Sequence, residues 1–160
     1  MTDFENSPEK KKAQVFDIGK ARLSPKGSRE DVDDLFEQGV VALKNKKPKE
    51  AKVLFTRVVE IDPSNASAWS NLADACFDSY ERREAIDNYQ RAINCDPSDP
   101  DIHYRLASVL DFRSEDLFEA RKQFKIYLNL TKNTKDESES SFRAEAEEAI
   151  ERIDRMIKKK

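Results

Sequence analysis

The chain has 160 residues, of which 38% are apolar and 38% charged, with a formal net charge of −3; that is enough for one ordinary core inside a heavily solvated surface. Three glycines and six prolines are too few for a fold of many tight turns or for a glycine-rich phosphate loop, so the composition predicts helix. No apolar run approaches the ~20 residues of a bilayer helix, and the opening MTDFENSPEKKK lacks a basic segment followed by an apolar stretch, which disfavours secretion and membrane insertion and favours a cytoplasmic setting.

Residues 1–30 hold seven cations and five anions, and their Ser, Pro and Lys content with weak periodicity predicts a disordered tail. Within it, Ala13 to Arg22 combines Val15, Phe16 and Ile18 with Lys20 and Arg22. Residues 31–160 hold 22 cations and 27 anions. An acidic body disfavours nucleic acid, which wants a clustered basic face, and Lys10 to Lys12 and Lys158 to Lys160 read as solvated ends. Helices are predicted near 31–45, 48–61, 66–79, 82–94, 100–113 and 116–131, with Pro48 and Pro100 at first helical positions and Asn65 and Asp99 as N-caps. A seventh starts near 138, where Phe142, Ala146, Ala149, Ile150, Ile153 and Ile157 form one apolar stripe. Its polar face places Glu148 before Arg152 and Glu151 before Arg155, four apart in the favoured order. A polar face of both signs argues for a cap over a membrane-surface helix.

The middle of the chain repeats. Ile61-Asp62-Pro63-Ser64 returns as Cys95-Asp96-Pro97-Ser98, thirty-four residues later. With Val32 as the first place of a 34-residue unit, the eighth place holds Gly39, Ala73 and Ala107, the twentieth Ala51, Ala85 and Ala120, and the twenty-fourth Phe55, Tyr89 and Phe124, the third unit needing one inserted residue before Ala120. Small residues at two places let paired helices approach closely, and an aromatic fills the wedge beside them.

This pattern resembles the tetratricopeptide repeat. The second unit matches best, through Trp69, Leu72, Ala73, Ala85, Tyr89, Ala92 and Pro97; the first puts Leu35 and Gln38 where Trp and Leu are favoured, and the third has His103 at the Trp place and Tyr127 where a small residue is usual. The resemblance implies an all-α, right-handed superhelical stack of three helix pairs (32–65, 66–99 and 100–134, within 31–134) closed by a capping helix over 135–160.

Reagents for catalysis are scarce: one histidine, two cysteines, no nucleophile elbow and no glycine-rich loop. No catalytic residue, cofactor site or metal site is expected; His103, Cys76 and Cys95 are read as core packing, in a reducing compartment where thiols stay free.

In proteins of this kind the first helix of each unit lines a concave groove. The corresponding places hold Asp33, Phe36, Glu37, Val40, Leu43 and Lys44 in unit one; Ser67, Ser70, Asn71, Asp74, Phe77 and Asp78 in unit two; and Asp101, Tyr104, Arg105, Ser108, Asp111 and Phe112 in unit three. Six anions face two cations there, with apolar area among them, the composition of a partner site. The family's carboxylate clamp, which grips the acidic tail of heat-shock chaperones, uses Lys and Asn from unit one, Asn from unit two, and Lys and Arg from unit three. Here Asn71 and Arg105 match, but Phe36, Val40 and Asp101 stand at the other places, so an acidic tail is disfavoured as partner. The expected function is a non-enzymatic adaptor or scaffold that binds a protein or peptide segment with apolar and basic character. The alternative, on layout alone, is a small secretion chaperone holding an apolar client.

Overall fold

Proline cannot continue a helix but fits its first turn, and helices begin at both Pro48 and Pro100. The computed structural model describes residues 29–112, 116–133 and 137–159; residues 1–28 of the expected tail, with the Ala13 to Arg22 stretch, fall outside them, while Arg29 and Glu30 open the first helix. Seven helices follow one another: α1 (Arg29–Lys44), α2 (Pro48–Ile61), α3 (Ala66–Asp78), α4 (Arg82–Cys95), α5 (Pro100–Asp111), α6 (Leu117–Leu130) and α7 (Glu137–Ile157). The side-chain oxygens of Asn65 and Asp99 accept from the N–H groups of Ala68 and Asp101, as N-caps should. Helix α1 pairs with α2, α3 with α4 and α5 with α6; α2 then packs on α3, α4 on α5 and α6 on α7, which stacks the three pairs and closes them with α7.

The repeat has local physical causes. In both Asp-Pro-Ser turns the serine N–H and hydroxyl donate to the aspartate, Ser64 to Asp62 and Ser98 to Asp96, an Asx turn that reverses the chain between units. The fourth place of the next unit then reaches back to the proline carbonyl. Trp69 Nε1–H donates to Pro63 O at 2.9 Å, and His103 Nε2 lies 3.1 Å from Pro97 O. A histidine at the Trp place therefore preserves the tie between units, while its Nδ1 pairs with the side-chain amide of Gln123 at 2.6 Å.

Two adjoining clusters make the core. One joins α1 and α2 to the inner faces of α3 and α4; the other joins α3 and α4 to α5, α6 and α7, and Trp69 and Phe77 pack against both. The alanines at the eighth and twentieth places, Ala51, Ala73, Ala85, Ala107 and Ala120, are wholly buried. Cys76 is buried too, but Cys95 is exposed, against expectation. It ends α4 where Ile61 ends α2, and Ile61 is also exposed, so the thirtieth place is a surface position at a helix end.

Unit one departs from the repeat for a structural reason. The third, seventh and tenth places are buried as Ala68, Leu72 and Ala75 in unit two and as Ile102, Leu106 and Val109 in unit three, each beneath the unit before it. In unit one they are Asp34, Gln38 and Val41, all exposed, a mostly polar surface at this end of the stack. At the other end Ala146, Ala149 and Ile153 of α7 are buried against unit three. Arg152 does not bridge to Glu148 as its spacing suggests; it pairs with Asp111 of α5, because a carboxylate on the neighbouring helix already faces it.

Candidate functional site

The residues expected to line the groove separate into three groups. On α1, Asp33 and Glu37 are exposed, Val40 is half-buried, and Phe36 sets its ring edge-on to Phe55 with centroids 5.5 Å apart. Between α3 and α5, Asp74 accepts a hydrogen bond from the Tyr89 hydroxyl and pairs with Arg105, while Asn71 donates to its own helix at Ser67 O, 2.9 Å away. Asp101 is exposed beside them. The third group is not open. Tyr104 meets Phe124 and Phe142 edge to face and Tyr127 at a tilt, and donates to Glu145 Oε2 at 2.7 Å, and the Asp111 side chain, 11% exposed, faces Arg152. Helix α7 therefore covers part of the surface that unit three was expected to offer.

These pairings change the electrostatics. Asp74 and Asp111 each meet an arginine, and the acids left exposed are Asp33, Glu37, Asp78 and Asp101. Burial pushes the Asp74 carboxyl above the usual carboxylate range, against the opposing pull of Arg105 and the Tyr89 hydroxyl. Burial also works against the charge of Arg105, but Asp74 and Tyr89 outweigh it and raise the guanidinium. The arginine stays charged at any ordinary pH, so pH sensitivity lies with Asp74. Between the ordinary carboxylate pKa and the raised one, the folded chain holds a proton that the unfolded chain has released. Stability contributed by this group is present below that interval and falls as pH rises through it. Urea unfolding at a series of pH values should show this fall for the wild type and a flatter profile for Asp74→Asn.

A concavity lies where α3 and α5 end. Phe77 and Phe112 meet edge to face, centroids 5.8 Å apart and planes at 86°, beside a pocket of about 730 Å³ that Asp78, Tyr80, Glu81 and Arg83 also line. Tyr80 is 96% exposed and sits at φ 65°, in the left-handed region that a bulky side chain rarely adopts. The corresponding Lys46 of unit one has φ 56°, so the turn between paired helices requires this conformation. Glu81 N–H closes it on Cys76 O at 2.9 Å, as Lys47 N–H does on Ala42 O. Arg82 fixes the floor by donating to Val109 O and Leu110 O at the end of α5, at 3.0 and 3.1 Å. Phe77, Asp78 and Phe112 stand at places that the repeat assigns to the groove. Tyr80 and Arg82 do not, because they follow the first helix; the signal was a tyrosine at a place where a left-handed turn favours glycine.

Cys76, Glu81 and Glu84 bring ligand-type atoms within 4.8 Å of one another. The Lys52 ammonium already bridges the two carboxylates at 2.6 and 2.8 Å, and burial pushes the Cys76 thiol up to about 11, so it stays protonated. As it stands, the cluster is a clamp that ties α2 to the α3–α4 turn through Lys52.

A family model described as tetratricopeptide repeat matches residues 42–108. The human Protein O-mannosyl-transferase TMTC3 is 33% identical over 95 residues, 58% of this chain, and the chain spans only 10% of that protein's length. Among solved structures, the Yersinia enterocolitica type III secretion chaperone SycD, in complex with a peptide of the translocator YopD, superposes with a TM-score of 0.73 at 19% identity over 83% of this chain and 98% of that one. The second TPR domain of human RPAP3, in complex with the HSP70 peptide SGPTIEEVD, superposes with a TM-score of 0.67 at 23% identity over 80% of this chain and 98% of that one. At those identities the likeness is one of fold. Residues 42–108 match the tetratricopeptide repeat model, and the helix pairing and the solved structures agree on that fold for the described chain: three stacked helix pairs closed by a C-terminal helix.

Proposed function

We propose that this domain is a non-enzymatic adaptor whose groove takes an extended or helical segment carrying a large apolar anchor and positive charge. The observation that carries this reading is the pocket of Phe77, Tyr80 and Phe112, where Phe112 is 68% exposed and Asp78 stands beside the rings. Exposed aromatics around a concavity supply anchoring area, and the adjacent acid selects a cationic neighbour. Glu37 and Asp33 extend the acidic surface along α1. Chaperone-tail recognition, as in the RPAP3 neighbour, fits poorly, since Arg105 already answers Asp74 and exposed acids would repel a second acidic chain. The peptide-bound SycD neighbour lends its layout to the alternative reading, a chaperone for an apolar client.

The test is titration of the full chain with a fluorescent peptide bearing one Phe or Leu between two Arg residues, against SGPTIEEVD as the acidic counterpart. The cationic peptide should bind and the acidic one should not. Tyr80→Gly should leave stability equal or slightly higher, since glycine relieves the left-handed backbone, and weaken binding several-fold, the usual opposition of strain and function. Equal affinity of wild type and Tyr80→Gly would remove the pocket from the binding surface. Pull-down with mass spectrometry would then separate the adaptor from the chaperone: capture of soluble basic segments supports the first, co-purification of one unstable apolar protein the second.

A further inference from the structure

Helix α6 turns toward solvent a face quite unlike the groove. Phe118 is 65% exposed there, and with Arg121, Lys122, Lys125, Ile126 and Asn129 it lines a shallow depression of about 400 Å³. These residues recur at helical spacing along one stripe. The Arg121 guanidinium lies 6.0 Å from the Phe118 ring centroid and donates to Asp154 of α7 at 2.6 Å. Lys122 meets Glu119 at 3.1 Å. The carboxyl of Asp154 is held below the usual range, chiefly by the Arg121 hydrogen bond and further by the charges of Lys125 and Lys158. Four cations thus surround two acids on one face of a chain whose net charge is −3.

We infer that the α6–α7 face is a second interaction site, taking an acidic peptide segment with one large apolar side chain, which seats beside Phe118 while its carboxylates meet Lys122, Lys125 and Lys158. Charge complementarity selects the occupant: clustered cations around an exposed ring suit an acidic segment, whereas the groove suits a basic one. A lipid surface fits less well. Among the described residues, Phe118 is the one strongly exposed aromatic lining this depression, a single anchor with little area to insert. The domain then holds two segments of opposite charge at once, one on each face, and the two sites are separable by mutation.

The test uses the full chain and a labelled twelve-residue probe rich in Asp and Glu with a single Leu. Binding should be measurable below about 1 mM, the weak end of specific recognition, and should weaken as salt rises and the Debye length shrinks. Phe118→Ala, and separately Lys122→Glu with Lys125→Glu, should each weaken it about tenfold, ~1.4 kcal/mol. Tyr80→Gly should leave it unchanged. All these side chains are exposed or half-buried, and circular dichroism checks that each variant stays folded. Absence of probe binding, equal binding by the α6 variants, or capture by phosphatidylserine vesicles without capture by the peptide would each overturn the assignment.

Discussion

Replacing Ile153 with alanine should lower the unfolding free energy by about 2–5 kcal/mol, the cost of deleting a fully buried branched side chain with partial collapse of the cavity. Ile153 is wholly buried, at the centre of the α7 face that covers unit three. It is flanked by polar ties that only a docked α7 can make: Arg121 to Asp154, Arg152 to Asp111, and Arg143 donating to Leu128 O at 3.0 Å and to Thr131 Oγ1 at 2.7 Å. Loss of the apolar contact weakens all of them together. A stack of three pairs stands on about 5–15 kcal/mol in total, so the variant should unfold at markedly lower urea concentration, and removal of residues 138–160 should expose the same surface and cause aggregation. Urea unfolding followed by circular dichroism, with light scattering for the truncated chain, reads both. A midpoint unchanged in Ile153→Ala would mean that α7 is a loosely attached appendage.

The helices were legible because their signals are local. Prolines at helix starts, Asn65 and Asp99 as caps, and the 34-residue spacing of small and aromatic residues all act within one or two turns or within one pair, so sequence order carries them. Even the departures had meaning: Gln38 sits where no unit among the described residues covers it, and His103 makes the contact that Trp69 makes. Less legible were contacts set by the placing of α7. Its register against α5 decides that Asp111 and Tyr104 are engaged rather than open, and no spacing within either helix encodes that. The exposure of Cys95 belongs to the same class, since helical periodicity identifies a face but not how far its neighbour extends. At the expected groove the side chains pair in ways that the repeat positions do not encode. Asp74 and Arg105 were read as separate charges of a binding surface, although thirty-one residues apart they meet each other.

Gly39→Leu should cost about 3 kcal/mol, the upper part of the usual range for overpacking, and lower the Tm by roughly 10 °C. An ideal Cβ at Gly39 would lie 2.7 Å from Phe55 Cζ and 2.8 and 3.0 Å from its two neighbouring ring carbons, so the ring presses directly on the glycine. Phe55 has nowhere easy to go: it is wholly buried and also meets the ring of Phe36 edge-on. Gly39→Ala isolates the argument, because two effects oppose each other. Alanine in a helix interior gains about 1 kcal/mol over glycine, while the clash displaces a packed ring. The clash should win, leaving Gly39→Ala less stable than wild type. Shortening the opposing ring reverses the sign: in a Phe55→Leu background, Gly39→Ala should stabilise, since the propensity gain remains after the obstruction is removed. A thermal-denaturation double-mutant cycle measures this coupling. Equal effects of Gly39→Ala in the two backgrounds would show that the close approach of α1 and α2 does not depend on the missing side chain.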